Sequence, residues 1–494
     1  MGFLYQEKTL SEKVAKGGFW VFVLNISVRF LGFIRLLILA RVLNPRDFGL
    51  MGIALITIGV LETFFNSGFQ AALIQKEKNI EKYLDVTWTA LVLRGGIIFS
   101  VLYMSAPLVA DFFKAPQAEG IVRIVGISVL LQAFTNIGII YFKKELEFNK
   151  EFLYQLGCKL SEFFVTIVLA FTLGSVWALV FGFLAGSFAK CALSYWAHPY
   201  RPRFCFNLDK LKELFSYGKW MLSSGILIFL ITQGDDALVG KVLGVTMLGF
   251  YQMAYLVSNT PATEIGHIIS QVSFPLYAKL QQDLERLQKF FLVIVKVTAM
   301  FSLPLSGIIF ILAPDIIYIF LGQKWMSIVS AIRILCVFGL LRANASTGGP
   351  VVLSLGKPKL ITIFAFIQLV ILAAIIYPLT VRYNIEGTSV AVAVAFIAIF
   401  IPGIFVICRL INLKFLTWLK SLVASFLAAL VMTVCVYLAK THIFLNRIAL
   451  TNLILLLLLG VLIYVPLIFL LEVRFIKKLK AIFNEMKANA LDKK

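Results

Sequence analysis

Residues 237–255 read ALVGKVLGVTMLGFYQMAY, and residues 38–56 read ILARVLNPRDFGLMGIALI. With a shift of 200 residues, Ala40-Arg41-Val42-Leu43 lies over Gly240-Lys241-Val242-Leu243, and Gly49 lies over Gly249. Each copy stands between two long apolar runs. Further matches follow in the same order: Ala106-Pro107 with Ala313-Pro314, Arg123 with Arg333, Leu130-Leu131 with Leu340-Leu341, Ala133 with Ala343 and Gly138 with Gly348. The offset drifts only from 200 to 210. Weak internal symmetry of this kind is the sequence mark of a duplicated membrane bundle.

The composition agrees. The chain has 494 residues, 60% hydrophobic and 14% charged, with a mean hydropathy of +0.93. Soluble domains carry about 45–50% apolar and about 25% charged residues, so this chain is built for lipid. Its six cysteines show no CxxC spacing and read as small buried hydrophobes, without a disulfide or metal role. The opening MGFLYQEKTLSEKVAKGG is too polar for a signal peptide, and Tyr5-Gln6 does not supply the Ser/Thr context of a myristoylation signal.

A helix needs about 20 residues to cross the hydrocarbon. Fourteen runs of that length are expected, at 17–40, 48–74, 86–107, 121–141, 153–174, 176–196, 214–240, 248–272, 290–313, 328–354, 360–379, 387–408, 419–438 and 450–471. With the N-terminus taken as cytoplasmic, the inner connections and the tail hold 28 Lys and Arg (Lys420 at a span edge included), and the outer connections hold 8. The bias predicts that both termini are cytoplasmic. Much of the +21 net charge is therefore a topology signal, and nucleic acid is not expected as a partner.

The expected fold class is an all-α integral membrane protein with 14 transmembrane helices: two parallel-related six-helix bundles plus two C-terminal helices. The expected divisions are 1–200 for the first bundle with an amphipathic N-terminal arm, 201–410 for the second, 411–471 for helices 13 and 14, and 472–494 for a basic amphipathic tail. Six is an even number, so both bundles enter the membrane in the same direction and enclose a cleft whose ends can close in turn. The repeated hairpin is expected to seal the outer end of that cleft.

Charges at membrane depth cost at least a few kcal/mol each. Arg123, Lys190, Lys219 and Arg333 lie near span ends, where they can snorkel, and Lys159 with Glu162 is expected to pair at i,i+3. The central set is different. Arg29, Arg94 and Arg342 fall halfway through their spans, and Arg35 lies about 9 Å along the axis from Arg29. These four are the expected substrate-binding residues of a cationic cleft, because a guanidinium fork suits phosphate or carboxylate. Glu62, Asp235, Asp236, Glu264 and Lys296 are candidates for gating or ion coupling. Asp235-Asp236 could hold an outer gate or couple transport to H⁺ or Na⁺, and the gate is favoured. His267 reads as a packed core residue. No Walker A loop, HExxH or nucleophile elbow occurs, so no catalytic residue, cofactor or metal is expected.

The phrases ARVLNPRDFGLMGIA (40–54), FKKELEFNKEF (142–152), QGDDALVGKVLGVTMLGFYQMAYLV (233–257), VSFPLYAKLQQDLERLQKFF (272–291) and IFLGQKWMSIVSAIRILCVFGLLRA (319–343) resemble the polysaccharide transport family of bacterial flippases. That family lies within the multidrug/oligosaccharidyl-lipid/polysaccharide exporter superfamily, and the likeness is strongest to its colanic acid and teichuronic acid exporter branch. The resemblance implies a flippase of the bacterial inner membrane, which moves undecaprenyl-pyrophosphate-linked oligosaccharide by alternating access and is not an enzyme. It implies membrane lipid, and the polysaccharide polymerase and export machinery, as partners. It places Arg29 and Arg35 nearest to the family's cavity cations. Two rival readings are an exporter of small amphiphiles or drugs, which would want a more acidic cavity, and a membrane-embedded glycosyl ligase or polymerase, which would want a large outer loop.

Overall fold

The computed structural model describes residues 20, 23–24, 26–65, 73, 80–145, 147–445 and 447–473. Side chains at 82, 143, 208–224, 260–265, 267–268 and 270–272 lie outside the described set, so Lys219, Glu264 and His267 are placed by their backbone alone. The N-terminal arm and the basic tail beyond residue 473 also lie outside it. The chain divides into two compact units, 1–252 and 253–494.

The first unit is all helix among the described residues. Helix α1 covers 26–42, followed by α2 (Pro45–Phe64), α3 (Glu81–Phe112), α4 (Gln117–Ala133), the short α5 (Ile140–Lys144), α6 (Phe148–Leu173), α7 (Val176–Ala197), α8 (Leu208–Val242) and the start of α9 (Val245–Leu280). The break between α6 and α7 is one short turn. Gly174 takes the left-handed conformation (φ 56°) and donates its N–H to the Ala170 carbonyl, while Ser175 is extended. That arrangement closes one helix and opens the next. The two helices then pack along their length, with Gly182 so close to Thr166 that a Cβ would overlap its hydroxyl.

The repeated phrase builds the same turn by two routes. In the first copy Asn44 is extended and Pro45 opens α2, where a missing N–H costs nothing. Asp47 then holds two helix starts. One carboxylate oxygen accepts from the Asn44 N–H at 2.9 Å, and the other accepts from the Val176 N–H at the head of α7 at 3.0 Å. In the second copy Gly244 (φ 89°) ends α8, and α9 begins at Val245. The two helix starts cross. A Cβ on Gly49 would overlap the Val245 carbonyl oxygen, and a Cβ on Gly249 would overlap the Pro45 carbonyl oxygen. These are equivalent positions of the repeat, so the crossing is reciprocal, and glycine at each lets the backbones meet.

The second unit continues with α10 (Leu284–Ile316), a π turn (Ile317–Leu321), a 3₁₀ turn (Gln323–Ile328), α11 (Val329–Ala345), α12 (Gly348–Ser354), α13 (Pro358–Leu410), α14 (Phe415–Leu438) and α15 (Leu450–Leu471). Leu312, Ala428, Met432, Val436, Leu453 and Leu456 form a buried core that joins α14 and α15 to α10. Polar ties reinforce it. Tyr464 OH donates to the Met300 carbonyl at 2.7 Å, Lys296 Nζ lies 2.8 Å from Glu472 Oε1, and Lys440 pairs with the buried Asp315.

Among the described residues, nine helices are long and apolar enough to cross a membrane. Fourteen separate spans were expected; the run at 17–40 is described only in part, and the rest of the difference is as follows. The runs 360–379 and 387–408 fall in the single 53-residue α13, which departs from helical geometry at Tyr383 and Asn384. The run at 121–141 is divided by an interruption at 134–136 and a 3₁₀ turn over Ile137–Ile139. The runs at 214–240 and 248–272 lie in α8 and α9, whose side chains are described only in part.

The duplication is also legible in packing within each unit. Pro107 lies inside α3 and Pro314 inside α10. A proline cannot donate to the carbonyl one turn earlier, which belongs to Tyr103 in one unit and Phe310 in the other. In both, the matched arginine covers that aromatic residue. The Arg123 guanidinium lies 4.8 Å from the Tyr103 ring centre, and that of Arg333 lies 5.8 Å from Phe310. Arg333 Nε also donates to the freed Phe310 carbonyl at 3.3 Å. Both arginines are thus assigned to structure.

Candidate functional site

The crossing of α2 and α9 carries a polar cluster behind it. Asp235 on α8 is buried at 2% exposure and accepts from Tyr251 OH at 2.7 Å. Asp236 accepts from Gln252 Nε2 at 3.2 Å. The Gln252 amide occupies the space left by the missing side chain of Gly52, its equivalent in the first copy. The repeat therefore spends a glycine on one side and an amide on the other to seat one carboxylate.

Arg35 is the repeat equivalent of Asp235, and it is satisfied elsewhere. Its guanidinium pairs with Glu162 on α6, whose second oxygen accepts from Lys159 Nζ at 2.8 Å. Glu162 is only 8% exposed, so two cations hold one buried carboxylate. The i,i+3 pairing of Lys159 with Glu162 was legible in the sequence. The contribution of Arg35 was not, since 127 residues separate the partners.

The remaining candidates scatter. Arg94 on α3 donates to the backbone carbonyl of Glu62 at 3.2 Å, which brings two of the expected residues to one place. Glu62 itself is exposed, as is Arg29 on α1. In the second unit Arg342 donates to Tyr255 OH at 2.6 Å and lies 5.9 Å from the Phe338 ring centre. Lys296 is engaged by Glu472, as described above. Tyr251, Gln252, Tyr255 and Glu472 were missed in the sequence because their partners lie on other helices. Among the described residues no group of three or more His, Cys, Asp or Glu is placed to hold a metal ion.

The segment that leaves α7 is pinned to the first unit. Asp85 Oδ1 accepts from Tyr200 OH at 2.7 Å and from Arg203 N–H at 2.8 Å. Asn136 Nδ2 donates to the Tyr200 carbonyl at 2.6 Å, and Thr89 Oγ1 accepts from Cys205 N–H at 2.9 Å. His198 stacks on Tyr141 with ring centres 5.4 Å apart, and its Nδ1 accepts from Tyr200 N–H at 3.2 Å. Burial lowers the His198 pKa below its ordinary value of 6.5.

Residues 38–330, which include both copies of the hairpin, match the family described as "Polysaccharide biosynthesis protein". The chain belongs to this family. The chain is 24% identical over 433 residues to the teichuronic acid biosynthesis protein TuaB of Bacillus subtilis (strain 168), covering 87% of this chain and 89% of that one. It is 26% identical over 345 residues to the lipopolysaccharide biosynthesis protein WzxC of Escherichia coli (strain K12), covering 69% and 70% of the two chains. In fold it resembles the lipid II flippase MurJ in an inward closed conformation, with a TM-score of 0.75 at 14% identity over 92% of this chain and 100% of that one. An inward-facing multidrug resistance transporter of the MATE family gives a TM-score of 0.60 at 16% identity over 78% and 95%.

Proposed function

We infer that this polysaccharide biosynthesis family member is a flippase for lipid-linked oligosaccharide, a multi-pass membrane transporter and not an enzyme. One observation carries the reading: the sequence relatives matched along most of their length are a lipopolysaccharide biosynthesis protein and a teichuronic acid biosynthesis protein. The MurJ-like fold supports it. The barrier such a protein lowers is that of taking charge and hydroxyls through hydrocarbon.

In this reading fourteen spans form two six-helix bundles, 1–200 and 201–410, with helices 13 and 14 over 411–471 and both termini in the cytoplasm. The 28-to-8 distribution of Lys and Arg supports that orientation. Arg29, Arg35, Arg94 and Arg342 would meet the pyrophosphate and first sugars of an undecaprenyl-pyrophosphate-linked unit, while the polyprenyl tail stays in lipid. The reciprocal glycine crossing would seal the outer end. Asp235 and Asp236, set behind that crossing, are the groups to gate it or to couple transport to H⁺ or Na⁺. Polymerase and export machinery are the expected downstream partners.

The test replaces Arg29, Arg35 and Arg342 singly by Ala and by Lys, following protein level in the membrane, surface polysaccharide and the leaflet position of the lipid-linked intermediate. Alanine variants are expected to remain in the membrane and trap the intermediate inside, with partial rescue by Lys. Normal export by all of them would contradict the cationic-cleft reading.

A further inference from the structure

Three connections of the second unit, α9–α10, α12–α13 and α13–α14, gather on one apolar cluster. It takes Tyr277 from α9, Leu287 from α10, Val351 from α12, Ile407 from α13 and Trp418 from α14. Gln288 Nε2 donates to the Ile411 carbonyl at 2.6 Å, which ties the start of α10 to the α13–α14 turn. The carboxylates at this end are engaged by their own neighbours. Asp283 Oδ2 lies 3.1 Å from Arg286 Nε, and Glu285 Oε2 lies 4.0 Å from Lys289 Nζ. At the α13–α14 turn no carboxylate answers. Arg409, Lys414 and Lys420 are all exposed, and none of the three forms an ion pair among the described residues.

That turn carries the marks of a headgroup layer. The helix it opens belongs to a stretch, Phe415–Ile443, long and apolar enough to cross a membrane. Aromatic rings gather at its start, as they do where hydrocarbon meets headgroups. Phe405 stacks on Phe415 with ring centres 4.1 Å apart, and the Trp418 ring lies 5.5 Å from that of Phe415. Solvation alone would account for Arg409 and Lys414, which flank the turn. It does not account for Lys420. That lysine stands five residues beyond Phe415, about 8 Å along the axis. Its neighbours on the same helix face, Leu416 and Val423, are exposed apolar residues. A lysine on a face of this kind turns its stem back toward the headgroups. It is thereby brought toward Lys414, and toward Arg409, which shares a face of α13 with Phe405 at i,i+4.

The counter-charge therefore comes from outside the chain, at headgroup level. A guanidinium takes phosphate in its fork, and an ammonium meets it as a point charge. A headgroup with a single phosphate supplies one negative charge for three cations. Two phosphates on one headgroup come closer to neutrality and reach both sides of the turn. The exposed Phe405, Leu416 and Leu419 beside them offer an apolar flank for acyl chains. Basic sites among membrane helices take diphosphate lipids in this way. We propose that the α13–α14 turn is a binding site for a phospholipid with two phosphates, of the cardiolipin class. Arg409, Lys414 and Lys420 hold the phosphates, and the acyl chains lie along the outer flank of α14. The lipid is a resident of the turn, and the proposal is independent of what the protein moves.

The test is native mass spectrometry on the full-length protein in detergent, with cardiolipin, phosphatidylglycerol or phosphatidylethanolamine added and inorganic pyrophosphate as competitor. Cardiolipin is expected to bind about tenfold more tightly than phosphatidylethanolamine and about fivefold more tightly than phosphatidylglycerol. Pyrophosphate should leave it in place. Lys420→Gln should weaken cardiolipin about fivefold, and Arg409→Gln, Lys414→Gln and Lys420→Gln together at least about thirtyfold. The three side chains are exposed, so the variants should keep the wild-type melting midpoint without lipid. Arg286→Gln with Lys289→Gln removes two cations from the same end of the unit and should change the affinity less than about twofold. Four results would each overturn the proposal: cardiolipin bound no better than either other lipid, its displacement by pyrophosphate, a triple variant that binds like wild type, or an equal loss in the Arg286 and Lys289 control. The second of these would mark a site for free anions, and the last a diffuse surface charge.

Discussion

Where the first copy of the hairpin turns on Asn44-Pro45, the second turns on Gly244; where the first carries Arg35, the second carries Asp235. Yet Gly49 and Gly249 are kept, each seated against the other copy's first carbonyl. The same division runs further along the chain. Pro107 and Pro314, with Arg123 and Arg333 over the aromatic ring one turn earlier, are retained in both halves. The residue after the proline is not, being Leu108 in one half and Asp315 in the other. Positions where backbones touch, or where an arginine covers the ring one turn before a proline, are equal in the two matched stretches. Positions that hold an unmatched charge differ, and each such charge has a partner of its own: Glu162 for Arg35, Tyr251 for Asp235, Lys440 for Asp315.

The largest effect should come from the buried ion pair among these divergent charges. Lys440→Ala leaves the Asp315 carboxylate alone at 4% exposure and is expected to cost about 3–5 kcal/mol. Thermal unfolding in detergent would measure it, and Lys440→Met combined with Asp315→Leu should restore most of the loss. Next comes the crossing itself. Gly49→Ala and Gly249→Ala should each cost about 1–3 kcal/mol by overpacking and reduce export alike. Equal losses sharpen the reciprocity, and a neutral Gly249→Ala beside a damaging Gly49→Ala would break it.

Smaller effects follow at the prolines. Arg123→Gln and Arg333→Gln should each cost about 1 kcal/mol through the lost cation–π contact. Arg333→Gln should cost the more, because the Phe310 carbonyl also loses its donor. The smallest effect is at His198, which has no counterpart in the second copy. Its folded pKa is below 6.5, so the unfolded chain takes the proton first. The stability it contributes is complete above about pH 6.5 and is lost as pH falls through the lower folded value. Partial exposure keeps the change below about 1 kcal/mol. His198→Gln should flatten the unfolding midpoint between pH 7.5 and pH 5.5.

The hairpin turns and the Gly174-Ser175 break were readable in the sequence because each rests on local chemistry: a glycine, a proline, a run of apolar residues. The Lys159–Glu162 pair was readable for the same reason, since helical spacing makes the two neighbours. What eluded the sequence was the partner of each charge. The depth of Arg35 in its span can be counted, whereas its partner Glu162, 127 residues away, cannot be assigned without the fold. Lys440 looked like an outer-loop cation for the same reason. A cavity around Arg94 was invisible too, because no periodicity marks a space that several helices leave between them.

The flippase reading is tested most directly by reconstitution. Purified full-length protein in liposomes carrying an undecaprenyl-pyrophosphate-linked oligosaccharide is followed by the fraction of sugar open to an impermeant oxidant. The account predicts that the protected half becomes accessible with the protein present, and far more slowly with Arg29→Ala and Arg35→Ala combined. Wild-type protein that is folded, yet exposes the sugar no faster than empty liposomes, would contradict it.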